Sequence, residues 1–122
     1  MIVGIGTDII EIDRVLKACE NNRFLEKYFT EEEILIFQKK RKSIAGNFAV
    51  KESVAKRFGT GFNGFSLKDI EVLRDENGRP YVNLYNEARN IAKKQEIDVI
   101  HVSMSDNNSC SIAYVVGEKR DK

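Results

Sequence analysis

The sequence predicts an α+β fold, with helices packed on one face of a mostly antiparallel sheet. Three observations predict it. Helical patterns crowd residues 13–58, whereas most strand-like runs fall after residue 69. Those later runs are short, rich in Ile, Val and Tyr, and mostly joined by polar turns. A hydrophobic fraction of 42% over 122 residues suffices for one core, so a single domain over 1–122 is expected.

Residues 2–7 form an Ile- and Val-rich strand ending near Asp8. Residues 13–19 and 22–28 read as short helices with a basic, partly aromatic surface. Thr30-Glu31-Glu32-Glu33 matches a capping box, with Thr30 as N-cap and Glu33 three residues on. The helix that follows carries Ile34, Leu35 and Phe37 into the basic run Lys39-Lys40-Arg41-Lys42. The strongest helical pattern covers 43–58, and Gly59 is its natural stop. At about 100° per residue, Glu52 falls within a face made by Ala45, Phe48, Ala49 and Ala55, with Lys56 one turn later. Val50 and Val54 lie on the opposite side, so this helix is buried on two sides. Residues 70–73 and 81–85 read as strands around Asp75-Glu76-Asn77-Gly78, which carries an Asn-Gly hairpin signal. Residues 86–95 are helical. Strands at 99–104 and 112–116 follow, joined by the polar turn 105–109.

Composition narrows the function classes. A net charge of +1 and a charged fraction of 32% provide no global field for nucleic acid or membrane surfaces. No apolar run is long enough to span a bilayer. The N-terminus opens into Ile2-Val3-Gly4-Ile5 without a basic leader, so no signal peptide is expected. Cys19 and Cys110 have no metal or redox spacing and read as reduced cytoplasmic thiols.

Two acids carry the chemistry. Asp8 and Glu52 each interrupt a stretch that otherwise reads as core, and a carboxylate rarely goes inside without a partner. A hard cation such as Mg²⁺ would pair with both and bring a phosphate-bearing substrate with it. A structural pairing with Lys or Arg is the alternative. Gly4-x-Gly6 lacks the third glycine of a dinucleotide fingerprint and is better explained by close backbone approach. The run Lys39–Lys42 is either a solvated face or a phosphate contact. His101 shares a strand face with Val99, Ser103 and Ser105, and there is no second histidine to share a metal.

Taken together, Gly4-Ile-Gly-Thr-Asp8-Ile-Ile-Glu11-Ile, Phe48-Ala-Val-Lys51-Glu52-Ser-Val-Ala-Lys56-Arg-Phe-Gly59-Thr60-Gly61, the segment Asp75–Tyr81 and His101-Val-Ser103-Met-Ser105 resemble the holo-[acyl-carrier-protein] synthase family, the small bacterial 4′-phosphopantetheinyl transferases. The resemblance covers essentially the whole chain. It implies transfer of 4′-phosphopantetheine from coenzyme A to a serine of apo acyl carrier protein, in support of fatty acid synthesis. It also implies Mg²⁺, release of adenosine 3′,5′-bisphosphate, and a cytoplasmic homotrimer with sites between subunits.

By the same resemblance, Asp8 and Glu52 match the metal-binding acids and Lys56 the pyrophosphate-contacting lysine. Gly59, Thr60 and Gly61 match the loop against coenzyme A, with Lys42 and His101 as further coenzyme A contacts. The early basic surface, Arg14, Lys17, Arg23, Phe24, Lys27 and Tyr28, matches the carrier-protein docking surface. Glu52, acting through a metal-bound water, is the first candidate for the base that takes the serine proton, and His101 the second. Two departures stand out: Asn47 where many members carry a basic residue, and Asp106 where many carry a second histidine. The alternative reading is a non-catalytic carrier-protein or nucleotide-binding module of the same fold.

Overall fold

A computed structural model describes residues 1–59 and 65–121. Strand β1 spans Ile2–Glu11, helices α1, α2, α3 and α4 span Ile12–Ala18, Asn22–Tyr28, Glu31–Lys39 and Ser43–Phe58, and a 3₁₀ turn spans Leu67–Asp69. Strands β2 (Ile70–Arg74) and β3 (Pro80–Leu84), helix α5 (Asn86–Lys94), and strands β4 (Val99–Asp106) and β5 (Cys110–Glu118) complete the order.

The α+β class is as expected, but the strands do not form one sheet. Antiparallel β1, β5 and β4 form a three-stranded sheet with the last strand central, and β2–β3 forms a separate hairpin. Strand β1 does not end near Asp8. It continues to Glu11, because Ile9, Ile10 and Glu11 pair with Ile112, Ser111 and Cys110. The hairpin turn is also longer than a two-residue Asn-Gly turn. Arg74 pairs with Pro80, only Gly78 there has positive φ (81°), and the Asp75 carboxylate accepts from the Asn77 and Arg79 amides.

Helix α4 organises the molecule. It lies over the inner faces of β1 and β5. Val50, Val54 and Phe58 join Ile70, Val72, Ile91, Ala113 and Val115 in the main core. A second cluster, Val15, Cys19, Phe29, Phe37 and Ile44, fills the space beneath the early helices. Half-buried Phe48 packs against both clusters. The close approach expected of the early glycines is present. A Cβ on Gly6 would run into the Ser53 carbonyl, and one on Gly4 into the Arg57 guanidinium. Without side chains there, β1 and α4 come within backbone contact.

The capping box at Thr30 forms as read, with the Thr30 hydroxyl 3.3 Å from the Glu33 amide and Glu33 Oε1 3.1 Å from the Thr30 amide. The same glutamate does more than cap. It is fully buried, and its Oε1 lies 2.7 Å from Lys51 Nζ, an equally buried ammonium on α4. Lys51 also donates to the carbonyls of Leu67 and Ile70. Asn47 donates to Glu33 Oε2 (3.0 Å) and to the Val72 carbonyl (2.9 Å). Asn47 is therefore an interior residue and not a neutral replacement on a ligand-facing surface. Burial pushes Glu33 up and Lys51 down, and their mutual contact opposes both shifts. Both cysteines are free.

Candidate active site

The Gly6–Ser53 contact fixes where the two acid-bearing segments meet. Asp8 is two residues beyond Gly6, so its side chain points to the face of β1 on which Gly6 meets α4. That face is the inner one, because Asp8 pairs with Ala113, which is buried under α4. Lys56 is three residues beyond Ser53, nearly one helical turn on. Its Nζ lies 2.7 Å from Asp8 Oδ1 and 3.4 Å from the Thr7 carbonyl. Glu52 lies one turn before Lys56 on α4 and is half-buried.

The electrostatics of these three groups are coupled. Burial raises the Glu52 carboxyl above the usual carboxylate range, the nearby negative charge of Asp8 raises it further, and Lys56 lowers it. The hydrogen bond to Asp8 holds the Lys56 ammonium above its ordinary value. Lys56 does not point inward, as the helical wheel implied. Its side chain is 58% exposed and stands at the rim, while Asp8 is 13% exposed.

Beside Glu52 opens a cleft of about 430 Å³ lined by Phe24, Lys27, Tyr28, Phe48, Phe65 and Leu67, among others. Phe24 and Tyr28 are half-buried on α2. Their rings lie 4.6 Å apart and pack on Phe48, so they build the wall of the cleft. Arg14, Lys17, Arg23 and Lys27 are exposed on α1 and α2.

The structure does not bring His101 to the acids of its own chain. His101 pairs with Val116, which pairs with Ile5, so its side chain belongs to the outer face of the sheet. There it bonds Glu118 at 2.8 Å. Gly59 ends α4 in the left-handed conformation (φ 70°), as its stop signal required. Thr60 and Gly61 lie outside the described residues. Lys42 borders a second cavity, at the other end of α4. Among the described residues no group of three or more His, Cys, Asp or Glu forms a metal cage.

The model of the 4′-phosphopantetheinyl transferase superfamily matches residues 4–115. The chain belongs to this superfamily. Its phosphopantetheinyl transferase relatives include the holo-[acyl-carrier-protein] synthase of Lachnoclostridium phytofermentans, 52% identical over 118 residues, which cover 97% of each chain. Among solved structures, the holo-[acyl-carrier-protein] synthase of Neisseria meningitidis superposes with a TM-score of 0.87 at 34% identity, covering 98% of this chain and 100% of that one. The Bacillus anthracis synthase, solved in complex with CoA (3′,5′-ADP), gives a TM-score of 0.79 at 35% identity and covers 98% and 99%. As a phosphopantetheinyl transferase, the chain has in Asp8, Glu52 and Lys56 charged groups suited to phosphoryl-transfer chemistry.

Two features of this transferase escaped the sequence reading. The buried Glu33–Lys51 pair was hidden because Glu33 already carried a capping signal. The cleft walls were hidden because residues 24 and 28 belong to a helix whose charged residues dominate its pattern. The i, i+4 spacing of Phe24 and Tyr28 was the available clue.

Proposed function

We propose that the protein transfers 4′-phosphopantetheine from coenzyme A to a serine of apo acyl carrier protein, as a Mg²⁺-dependent, cytoplasmic, single-domain homotrimer supplying fatty acid synthesis. The observation that carries the reading is the meeting of Asp8, Glu52 and Lys56 at one edge of α4, in a chain of this superfamily.

The donor set fits a magnesium ion. Mg²⁺ uses one or two carboxylates and fills its shell with water and substrate phosphate oxygens, so a three-acid cage is not needed. Asp8 and Glu52 would hold it, and the ion would offset the Asp8 charge that, after burial, raises the Glu52 carboxyl. When bound, the ion supplies electrostatic stabilisation of pyrophosphate oxygens.

The chain's own groups do the rest. Lys56 is exposed and tethered only at its tip, so it can turn from Asp8 to the pyrophosphate. There it stabilises the charge that grows on the bridging oxygen as the serine oxygen bonds to the β-phosphorus and adenosine 3′,5′-bisphosphate leaves. Glu52, with a carboxyl raised above its ordinary value, accepts the serine proton through water. Gly59 marks a helix C-terminus, where the dipole repels anions, so phosphate binding falls to side chains and metal.

Placement of His101 on the outer face supports sites shared between copies. That face exposes Ile5 (72%), Ile9 (63%) and Tyr114 (54%), apolar area that association would cover. Among the described residues no helix is long and apolar enough to cross a membrane.

Intact-mass measurement of apo carrier protein after incubation with coenzyme A, Mg²⁺ and this chain tests the proposal. A phosphopantetheine adduct on the carrier serine supports it. An unmodified carrier, with a bona fide synthase active in parallel, overturns it.

A further inference from the structure

Three successive inner positions of β1 meet α4. Gly4 meets the Arg57 guanidinium, Gly6 the Ser53 carbonyl and Asp8 the Lys56 ammonium. Arg57 is the unusual member. Gly4 pairs with Gly117 across β1 and β5, and neither has a side chain, so together they open a slot in the sheet. The guanidinium lies over it. A Cβ on Gly4 would collide with Arg57 Nε, and one on Gly117 would stand 3.4 Å from the same atom. Arg57 Nη2 donates to the Val3 carbonyl at 2.6 Å, and Nη1 donates to Gln95 Oε1 at 3.4 Å. Gln95, just after α5, donates in turn to the Phe58 carbonyl at 2.7 Å.

Stability does not account for this arrangement. Both partners of Arg57 are neutral, and its buried Nε has no hydrogen-bond partner among the described residues. A buried donor without an acceptor is costly, and an apolar side chain of similar length would avoid that cost. Geometry does account for it. The Ser53–Gly6 contact joins α4 to β1 at one point, about which the helix is free to pivot. Arg57 adds a second point two residues away along the strand, and two points fix a direction. Asp8 lies two residues from Gly6 on the other side, about 7 Å from the pivot. A pivot of about 8° would shift Asp8 against Lys56 and Glu52 by about 1 Å, and a misplacement of that size can cost about 100-fold in rate.

We infer that Arg57 is a positioning residue for the transfer: seated over the Gly4–Gly117 slot and braced by Gln95, it sets the angle at which α4 crosses β1 and so holds Lys56 and Glu52 against Asp8. It acts through those three groups and not on the reacting atoms. This rests on the proposed transfer from coenzyme A. Lysine replaces it only in part, because an ammonium is a single point charge, whereas the planar fork reaches the Val3 carbonyl and Gln95 together.

The test compares wild type with Arg57→Met, which keeps the apolar stem and removes the fork, and with Arg57→Lys. Urea denaturation should show that Arg57→Met is fully folded under assay conditions. At saturating coenzyme A, carrier protein and Mg²⁺, Arg57→Met should lower kcat by about 10- to 100-fold. The KM for carrier protein should hardly change, and Arg57→Lys should recover part of the lost turnover. Crystal structures of the metal-free proteins should show α4 turned about the Ser53–Gly6 contact in Arg57→Met, with the Asp8 and Lys56 backbones displaced by about 1 Å from their wild-type separation. A kcat at the wild-type level, a loss no larger than the unfolded fraction, or an unchanged angle between α4 and β1 overturns the inference. If Arg57→Met does not fold, Gln95→Ala, which frees the guanidinium from its brace, is read the same way. If wild type transfers nothing, the functional proposal falls, while the angle in the two crystal structures still decides whether Arg57 positions the helix.

Discussion

Lys56 reaches across from α4 to Asp8 on β1, Nζ to Oδ1 at 2.7 Å, and this single bridge ties the two acid-bearing segments together at the surface. It is the contact of a side chain that is mostly exposed, and exposed pairs contribute about 0–1 kcal/mol to stability. Its value is therefore to be sought in chemistry.

Lys56→Ala should leave a folded protein and lower turnover by about 10²–10³-fold, the usual loss for a single transition-state charge contact. Steady-state kinetics at saturating coenzyme A and Mg²⁺ measure it. Unchanged kcat with a raised KM would restrict Lys56 to ground-state binding.

Glu52 makes a prediction in the opposite sense for stability. Its native carboxyl is raised above the ordinary value, first by burial and then by Asp8. The native state thus holds the proton more tightly than the unfolded chain. The favourable contribution is fully present below the unfolded value of about 4.5 and is lost as pH rises through the raised native value. Metal-free Glu52→Gln should then be at least as stable as wild type at pH 7, with the gap closing toward pH 4, while transfer is largely lost. Mg²⁺ should raise the Tm of wild type and not of the variant. A variant less stable than wild type at pH 7 would make Glu52 a structural residue.

The buried Glu33–Lys51 pair between α3 and α4 predicts the largest stability loss. Removing one partner of a fully buried ion pair leaves an uncompensated charge and costs about 3–5 kcal/mol. Lys51→Met, which strands Glu33 beside Asn47, should show a loss of this size in urea denaturation. A loss under about 1 kcal/mol would mean that Glu33 simply becomes protonated there.

How much of this was legible depended on which residues broke a pattern. Asp8, Glu52 and Lys56 stood out because charges at apolar positions cannot hide in helix or strand periodicity. Alternation along 99–104 also placed His101 on the correct face. The same alternation could not tell which strands are neighbours, so β2–β3 looked like part of one sheet. Lys51 was missed although α4 was seen to be buried on two sides, because a residue between two buried sides is itself inside only if a third element covers it. The 3₁₀ turn and β2 supply that cover through the Leu67 and Ile70 carbonyls.

Shared sites predict complementation. Asp8 and His101 lie on opposite faces of one sheet, so in the proposed trimer an active site takes them from different copies. Asp8→Ala and His101→Ala chains, co-expressed with different tags and purified as mixed oligomers, should transfer more than the sum of the two pure variants. Activity no greater than that sum would confine each site to one chain.

Docking of the acidic carrier protein should run across α1 and α2. Arg14 and Lys17 are exposed on α1, and Arg23 and Lys27 on α2, while Lys27, Phe24 and Tyr28 border the cleft that ends at Glu52. A carrier drawn to these charges is thereby brought to the mouth of the cleft, where its serine must go. Complementary charges at a rim act mainly on association rate. Arg14→Glu with Lys17→Glu should raise the KM for carrier protein, more steeply at low salt, where the Debye length is longer. The KM for coenzyme A should hardly change, because neither residue lines the cleft beside Glu52 or the cavity that Lys42 borders. Phe24→Ala should behave differently, lowering stability and turnover together through loss of its packing on Tyr28 and Phe48. Equal effects of charge reversal on both substrates, or none that depends on salt, would move the docking surface away from these helices.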